Sequence, residues 1–202
     1  MQSINMLLSA IVQIVLFSLI PFIWWLFTVR KHTGFLKWIG FKKPIIENKG
    51  KYIASCLVII VFFIILFLIV PFLVENSNLA TAQFTGQGAK ALIPALIYAF
   101  LQTGLSEEIF FRGFLTKRLT GKFGFKVGNT VQGMLFGLLH GIMFLSLVGP
   151  FRSIIIIIFT GVLGSLMGWI NEKQSGGSIV SSWLLHGGAN ICVSIVAMFS
   201  VL

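Results

Sequence analysis

The chain reads as an all-α membrane protein: a polytopic helix bundle of about six transmembrane helices forming one integral domain over residues 1–202. Three observations predict that class. Hydrophobic residues make up 57% of the chain and charged residues only 10%, and the mean hydropathy is +1.00, a balance found in integral membrane proteins. Apolar runs long enough to cross about 30 Å of hydrocarbon recur along the sequence. The charges, finally, fall between those runs. A net charge of +10 in a soluble chain would point to nucleic acid; here the cations flank apolar segments, so the partner read is the lipid bilayer and no nucleic acid.

The predicted spans are about 5–29, 52–74, 91–111, 127–148, 153–170 and 179–202. The first is too long for a signal-peptide core and has no basic residue before it, so it reads as a retained anchor. The third is the weakest by hydropathy, because it ends in Glu107, Glu108 and Arg112; Pro94 near its start is tolerated, since the first turn lacks intrahelical partners for its N–H groups. Beyond it, residues 110–119 mix aromatics with Arg112, Lys117 and Arg118, the pattern of a helix emerging at headgroup level. The fourth span carries Gly133, Gly137 and Gly141 at four-residue steps, and the fifth carries Gly164 and Gly168; small residues so spaced let helix backbones approach closely. Cys56 and Cys192 lie in apolar segments far apart and read as small buried apolar residues.

Basic residues set the orientation. Arg30, Lys31, Lys37, Lys42, Lys43, Lys49 and Lys51 precede the second span, Arg112, Lys117, Arg118, Lys122 and Lys126 follow the third, and Lys173 precedes the sixth. Only Lys90 and Arg152 fall on the other side. Those basic loops are therefore expected in the cytoplasm, with both termini outside. Eleven lysines against four arginines and abundant isoleucine fit an AT-rich bacterial genome, hence a bacterial cytoplasmic membrane.

Two of the five carboxylates, Glu107 and Glu108, are adjacent at membrane depth, where an ionised side chain is costly and signals function. Glu108 and Arg112 are four apart, acid before base, and stack on one helix face. Glu107 is turned about 100° from Glu108, free to act elsewhere as a general base. A structural ion-pair network without chemistry explains the same stretch. Phe136 and His140 share a face of the fourth span, and His186 and Asn190 share one of the sixth. Gly187 and Gly188 leave room for a substrate or a neighbouring helix.

Together these groups fit water-mediated acyl transfer: Glu107 takes a proton from water, His140 helps hold that water, and His186 with Asn190 donates to the oxyanion. Zinc is the competing chemistry, since Glu and His are also its ligands, although no HExxH occurs. Ser181 and Ser182 lack a GxSxG elbow and a buried Asp.

The segments Glu107–Arg112, Phe136–His140 and His186–Asn190 resemble the EExxxR, FxxxH and HxxxN motifs of the CAAX protease and bacteriocin-processing family, intramembrane glutamic endopeptidases that include the Rce1-type enzymes. The resemblance covers about residues 91–195, with the three motifs in family order. It implies Glu107 as the water-activating base, His140 as its partner, His186 and Asn190 as the oxyanion hole, and Glu108, Arg112 and Phe136 in support. It implies no cofactor, with zinc as the alternative because the family has also been described as metal-dependent. The expected partner is a peptide or membrane-protein substrate: a bacteriocin or pheromone precursor ahead of a prenylated CaaX protein, since eukaryotic members carry additional helices. The rival functions are bacteriocin self-immunity or regulation by binding, and a small transporter using a Glu–His proton relay, which the absence of a repeated half disfavours. The oligomeric state is not legible in the sequence.

Overall fold

A computed structural model describes residues 2–199, which are helical throughout their regular structure, with no strand among them. Helix α1 is Gln2–Thr28, the short α2 is Phe35–Trp38, and α3 is Lys49–Leu73. Asn48 starts α3 by accepting the Lys51 N–H at 2.9 Å, a side-chain cap of the usual kind. A stretch of 3₁₀ turns leads into α4, one run of helix over Gly88–Phe123. The last long run, Phe125–Gln174, breaks at Gly149 (φ 76°, ψ 171°), a backbone that favours glycine. Pro150 then occupies a first helical position, where its missing N–H costs nothing. The two arms are α5 (125–148) and α6 (150–174), and α7 is Val180–Met198.

Among the described residues five helices are long and apolar enough to cross a membrane, and one of them doubles back at Gly149, so all six predicted spans have a counterpart. The sixth was expected to reach residue 202; positions 200–202 lie outside the described residues. The α5–α6 hairpin is as tight as its glycines predict. A side-chain carbon on Gly137 would strike the Ile157 carbonyl and the Gly161 backbone, and one on Gly133 would strike Ser165 and Gly161.

Two expectations need correction. Within residues 110–119, Phe111 and Phe114 are buried and Arg112 is fully enclosed, so these three pack inside the protein, whereas Lys117 and Arg118 are half-buried. The aromatics of this stretch have partners in Phe17 and Trp24 of α1 and Trp38 of α2. Arg112 therefore does not belong with the basic loop residues. Cys56 is half-buried and Cys192 exposed, so only the first approaches the expected burial; both are free thiols.

The remaining basic loops share one end of the bundle. Gly40 O accepts the Ile179 N–H at 2.9 Å, and Ser175 O accepts the Ile45 N–H at 3.2 Å. Lys117 Nζ donates to Gly177 O at 2.7 Å and pairs with Glu172 at 2.6 Å. Gly40 has φ 86°, and a side-chain carbon there would meet the Gly177 carbonyl. The α2 loop is thereby strapped across the ends of α4, α6 and α7.

Candidate active site

Helix α4 supplies both acids on an irregular backbone. Ile97–Leu105 and Glu108–Thr116 are wound as π-helix, a rare form in which hydrogen bonds span five residues and which recurs at functional sites. Thr103 Oγ1 donates to Tyr98 O at 3.1 Å, and Thr116 Oγ1 to Phe111 O at 2.9 Å, each five residues back. The ideal 3.6-residue turn used to separate the acids is thus only approximate here.

Glu108 is fully buried and every side of its carboxylate is engaged. Arg112 Nη1 lies 3.1 Å from Oε1, His186 Nδ1 lies 3.2 Å from the same oxygen, and Ser182 Oγ donates to Oε2. Ser182 is in turn fixed by Asn171, whose Nδ2 donates to Ser182 Oγ at 2.6 Å while Oδ1 accepts the Ser182 N–H at 3.2 Å. The Arg112 guanidinium sits 4.2 Å from the Phe136 ring centre, within cation–π range. A side-chain carbon on Gly164 would come within 3.3 Å of Arg112 Nη2 and 3.1 Å of Phe136. Glycine at 164 therefore makes the space this buried pair occupies.

Glu107 differs in kind. Its Oε2 is buried with no hydrogen-bond partner among the described residues, and it faces His186 Nε2 at 3.8 Å. His186 thus stands between the two acids, Nδ1 toward Glu108 and Nε2 toward Glu107. Because a carboxylate only accepts, Nδ1 is the protonated nitrogen of the Glu108 contact.

The Phe136 ring organises the other side. His140 packs 4.5 Å from it and His186 6.3 Å from it, centre to centre. His140 Nδ1 donates to Phe136 O at 2.9 Å, which leaves Nε2 as its free nitrogen. No hydrogen bond or ion pair joins His140 to Glu107 among the described residues. Asn190, one turn beyond His186 on α7, donates from Nδ2 to Thr103 Oγ1 at 2.8 Å. Gly187 makes room for the Phe100 ring, whereas Gly188 faces open space.

The structure therefore brings Glu107, Glu108, Arg112 and His186 together, joins His140 to them only through the Phe136 ring, and sets Asn190 one turn away on Thr103. Among the described residues no three His, Cys, Asp or Glu side chains stand close enough to hold a metal ion. The three-ligand zinc set does not fit this arrangement, and no step below passes through a metal. Sequence reasoning missed Asn171 and Thr103, common polar residues with no motif around them. It weighed Ser182 only as a nucleophile, whereas its hydroxyl is committed to Glu108; the one available signal was its four-residue step to His186.

No curated protein and no solved structure gives a significant match to the chain. The family model for the type II CAAX prenyl endopeptidase, Rce1-like, matches residues 89–192, a stretch that contains α5, α6 and the parts of α4 and α7 that bear the site. Over half of the sequence falls in that match and the bundle around it is built of membrane-length helices, so the chain belongs to the Rce1-like family of CAAX-type membrane endopeptidases.

Proposed function

We propose that the chain hydrolyses a peptide bond with a water activated by Glu107, in the cytoplasmic half of a bacterial cytoplasmic membrane. The observation that carries this reading is the contrast between neighbouring acids: Glu108 is fully engaged, while Glu107 presents a buried, unpartnered oxygen. Structural ion pairs account for Glu108 and leave Glu107 with one longer contact, to His186 Nε2 at 3.8 Å.

In the proposed reaction Glu107 takes a proton from water as the oxygen attacks the scissile carbonyl. The C–O bond forms, and the carbonyl electrons move onto oxygen. His186 Nε2 and Asn190 Nδ2 donate to that oxyanion, each worth roughly 2.7–4 kcal/mol by analogy with other oxyanion donors. His140, with Nε2 free, holds the water. When the intermediate collapses, the C–N bond breaks and Glu107 returns the proton to the leaving amine. His186 can donate from Nε2 only while its ring carries both protons, because Nδ1–H is given to Glu108. The substrate class we favour is a bacteriocin- or pheromone-type precursor or a membrane protein, with a prenylated CaaX protein second. His186 lies about 9 Å in from the start of α7, a depth that suits a peptide reaching in from the basic face.

The test is Glu107→Gln in proteoliposomes, which keeps size and hydrogen bonding but removes the base. Turnover should collapse while protein accumulates normally; unchanged proteolysis would refute the general base, and an intact cellular phenotype without proteolysis would favour a binding role. Metal content and activity after exhaustive chelation decide the zinc alternative. Stoichiometric zinc that leaves and returns with activity would overturn the glutamate mechanism.

A further inference from the structure

We infer that Thr103 is a positioning residue that fixes the amide of Asn190, and the inference rests on the oxyanion role proposed for that amide. Thr103 has one hydroxyl proton, and the π-wound backbone of α4 claims it: Tyr98 O lies 3.1 Å away and Ala99 O 3.4 Å away. Its oxygen is left only to accept. Asn190 Nδ2 supplies that bond at 2.8 Å. The reversed amide would turn its oxygen toward a hydroxyl oxygen with no proton to give, so Thr103 selects one of two amide orientations. One Nδ2 proton is thereby consumed and the second is held in a set plane. β-Branching keeps the Thr103 rotamer stiff, so the plane is held by a rigid post.

The arrangement sits within the π-wound segment of α4. Thr103 and Glu107 are four residues apart on α4, and Asn190 and His186 are four apart on α7. Thr103 meets Asn190 at 2.8 Å, and Glu107 faces His186 at 3.8 Å, two rungs between antiparallel helices. The first rung is closed; the second is open and ends in the unpartnered carboxylate oxygen. In the closed rung the Thr103 hydroxyl proton goes to the Tyr98 carbonyl, five residues back. Thr103 touches no reacting atom; it acts through Asn190.

The test is a double-mutant cycle in proteoliposomes, read on internally quenched apolar peptides, one farnesylated at a CaaX cysteine. Thr103→Val removes the hydroxyl at nearly constant volume and should lower kcat roughly tenfold, the worth of a lost hydrogen bond, with KM within about twofold. Thr103→Ser should restore most of the rate. In an Asn190→Ala background, Thr103→Val should cost nothing further, since its only target is gone. Multiplying effects, or a Thr103→Val enzyme with wild-type kcat beside a slow Asn190→Ala, would overturn the inference and leave the oxyanion reading standing. Asn190→Ala at full rate, or a wild-type enzyme silent on every peptide, would instead fail the proposed function and this inference with it. If Thr103→Val does not accumulate, Thr103→Ala takes its place in the same cycle. A Thr103→Cys/Asn190→Cys pair, oxidised in membranes, should cross-link α4 to α7; failure to cross-link in a folded enzyme would overturn the pairing without recourse to activity.

Discussion

At the scale of single residues, the two glutamates separate by what surrounds them. Glu108 and Arg112 are both fully enclosed, so removing either leaves a buried charge without its partner, at a cost of about 3–5 kcal/mol. Glu108→Gln and Arg112→Ala should therefore lower both the amount of protein in the membrane and its activity, whereas Glu107→Gln should lower activity alone; immunoblots beside rate measurements separate the cases. Ser182→Ala should behave as a mild version of the first pair, because it removes one donor to Glu108 and leaves the Asn171 amide unsatisfied. The Glu108–Arg112 contact was legible in the sequence, being local and set by a four-residue step. Ser182, Asn171 and Thr103 were not, since their partners lie 74, 11 and 87 residues away and nothing in a serine or threonine announces a distant partner. His140 is an intermediate case: its place beside Phe136 followed from helical spacing, but its relation to Glu107 depends on how α5 crosses α4.

At the scale of elements, the α5–α6 hairpin was the most legible feature. Its glycine steps predicted close approach, and each does abut the opposite backbone or side chains. Gly137→Ala should force the arms apart at about 1–3 kcal/mol, the usual cost of overpacking, and tilt Phe136 beside it. The expected outcome is a lower melting temperature in detergent together with weakened turnover, because Phe136 carries Arg112 on its face. The π-wound segments of α4 were illegible, because nine residues of apolar sequence do not distinguish a 3.6-residue turn from a wider one. Deleting Gly104 should let that stretch relax toward ordinary α-helix and rotate Thr103 by about 100° relative to Glu107, with loss of activity despite a more regular helix.

At the scale of the whole molecule, the basic end of the bundle carries a prediction about sidedness. Cysteines introduced in the loop around residues 30–48 and near 117–123 should react with impermeant reagents only after cells are opened; labelling from outside would turn the bundle over and place the site in the outer leaflet. The membrane-length helices and the gathering of the basic loops at one end could be read from hydropathy and charge, whereas the strapping of the α2 loop onto Gly177 and Ile179 could not, since it is made of backbone groups that every sequence possesses. The family match begins at residue 89, yet α1 and α3, which precede it, border the acids: Gln13 Nε2 donates to Ser106 Oγ at 3.4 Å, and the Phe63 ring stacks 6.5 Å from His186. The groups proposed to react and the walls beside them thus come from different stretches of chain and are free to diverge at different rates. Exchanging α1 and α3 for those of another member should change which peptides are admitted while leaving the ability to hydrolyse them intact, so a lineage could acquire a new diet without rebuilding its teeth.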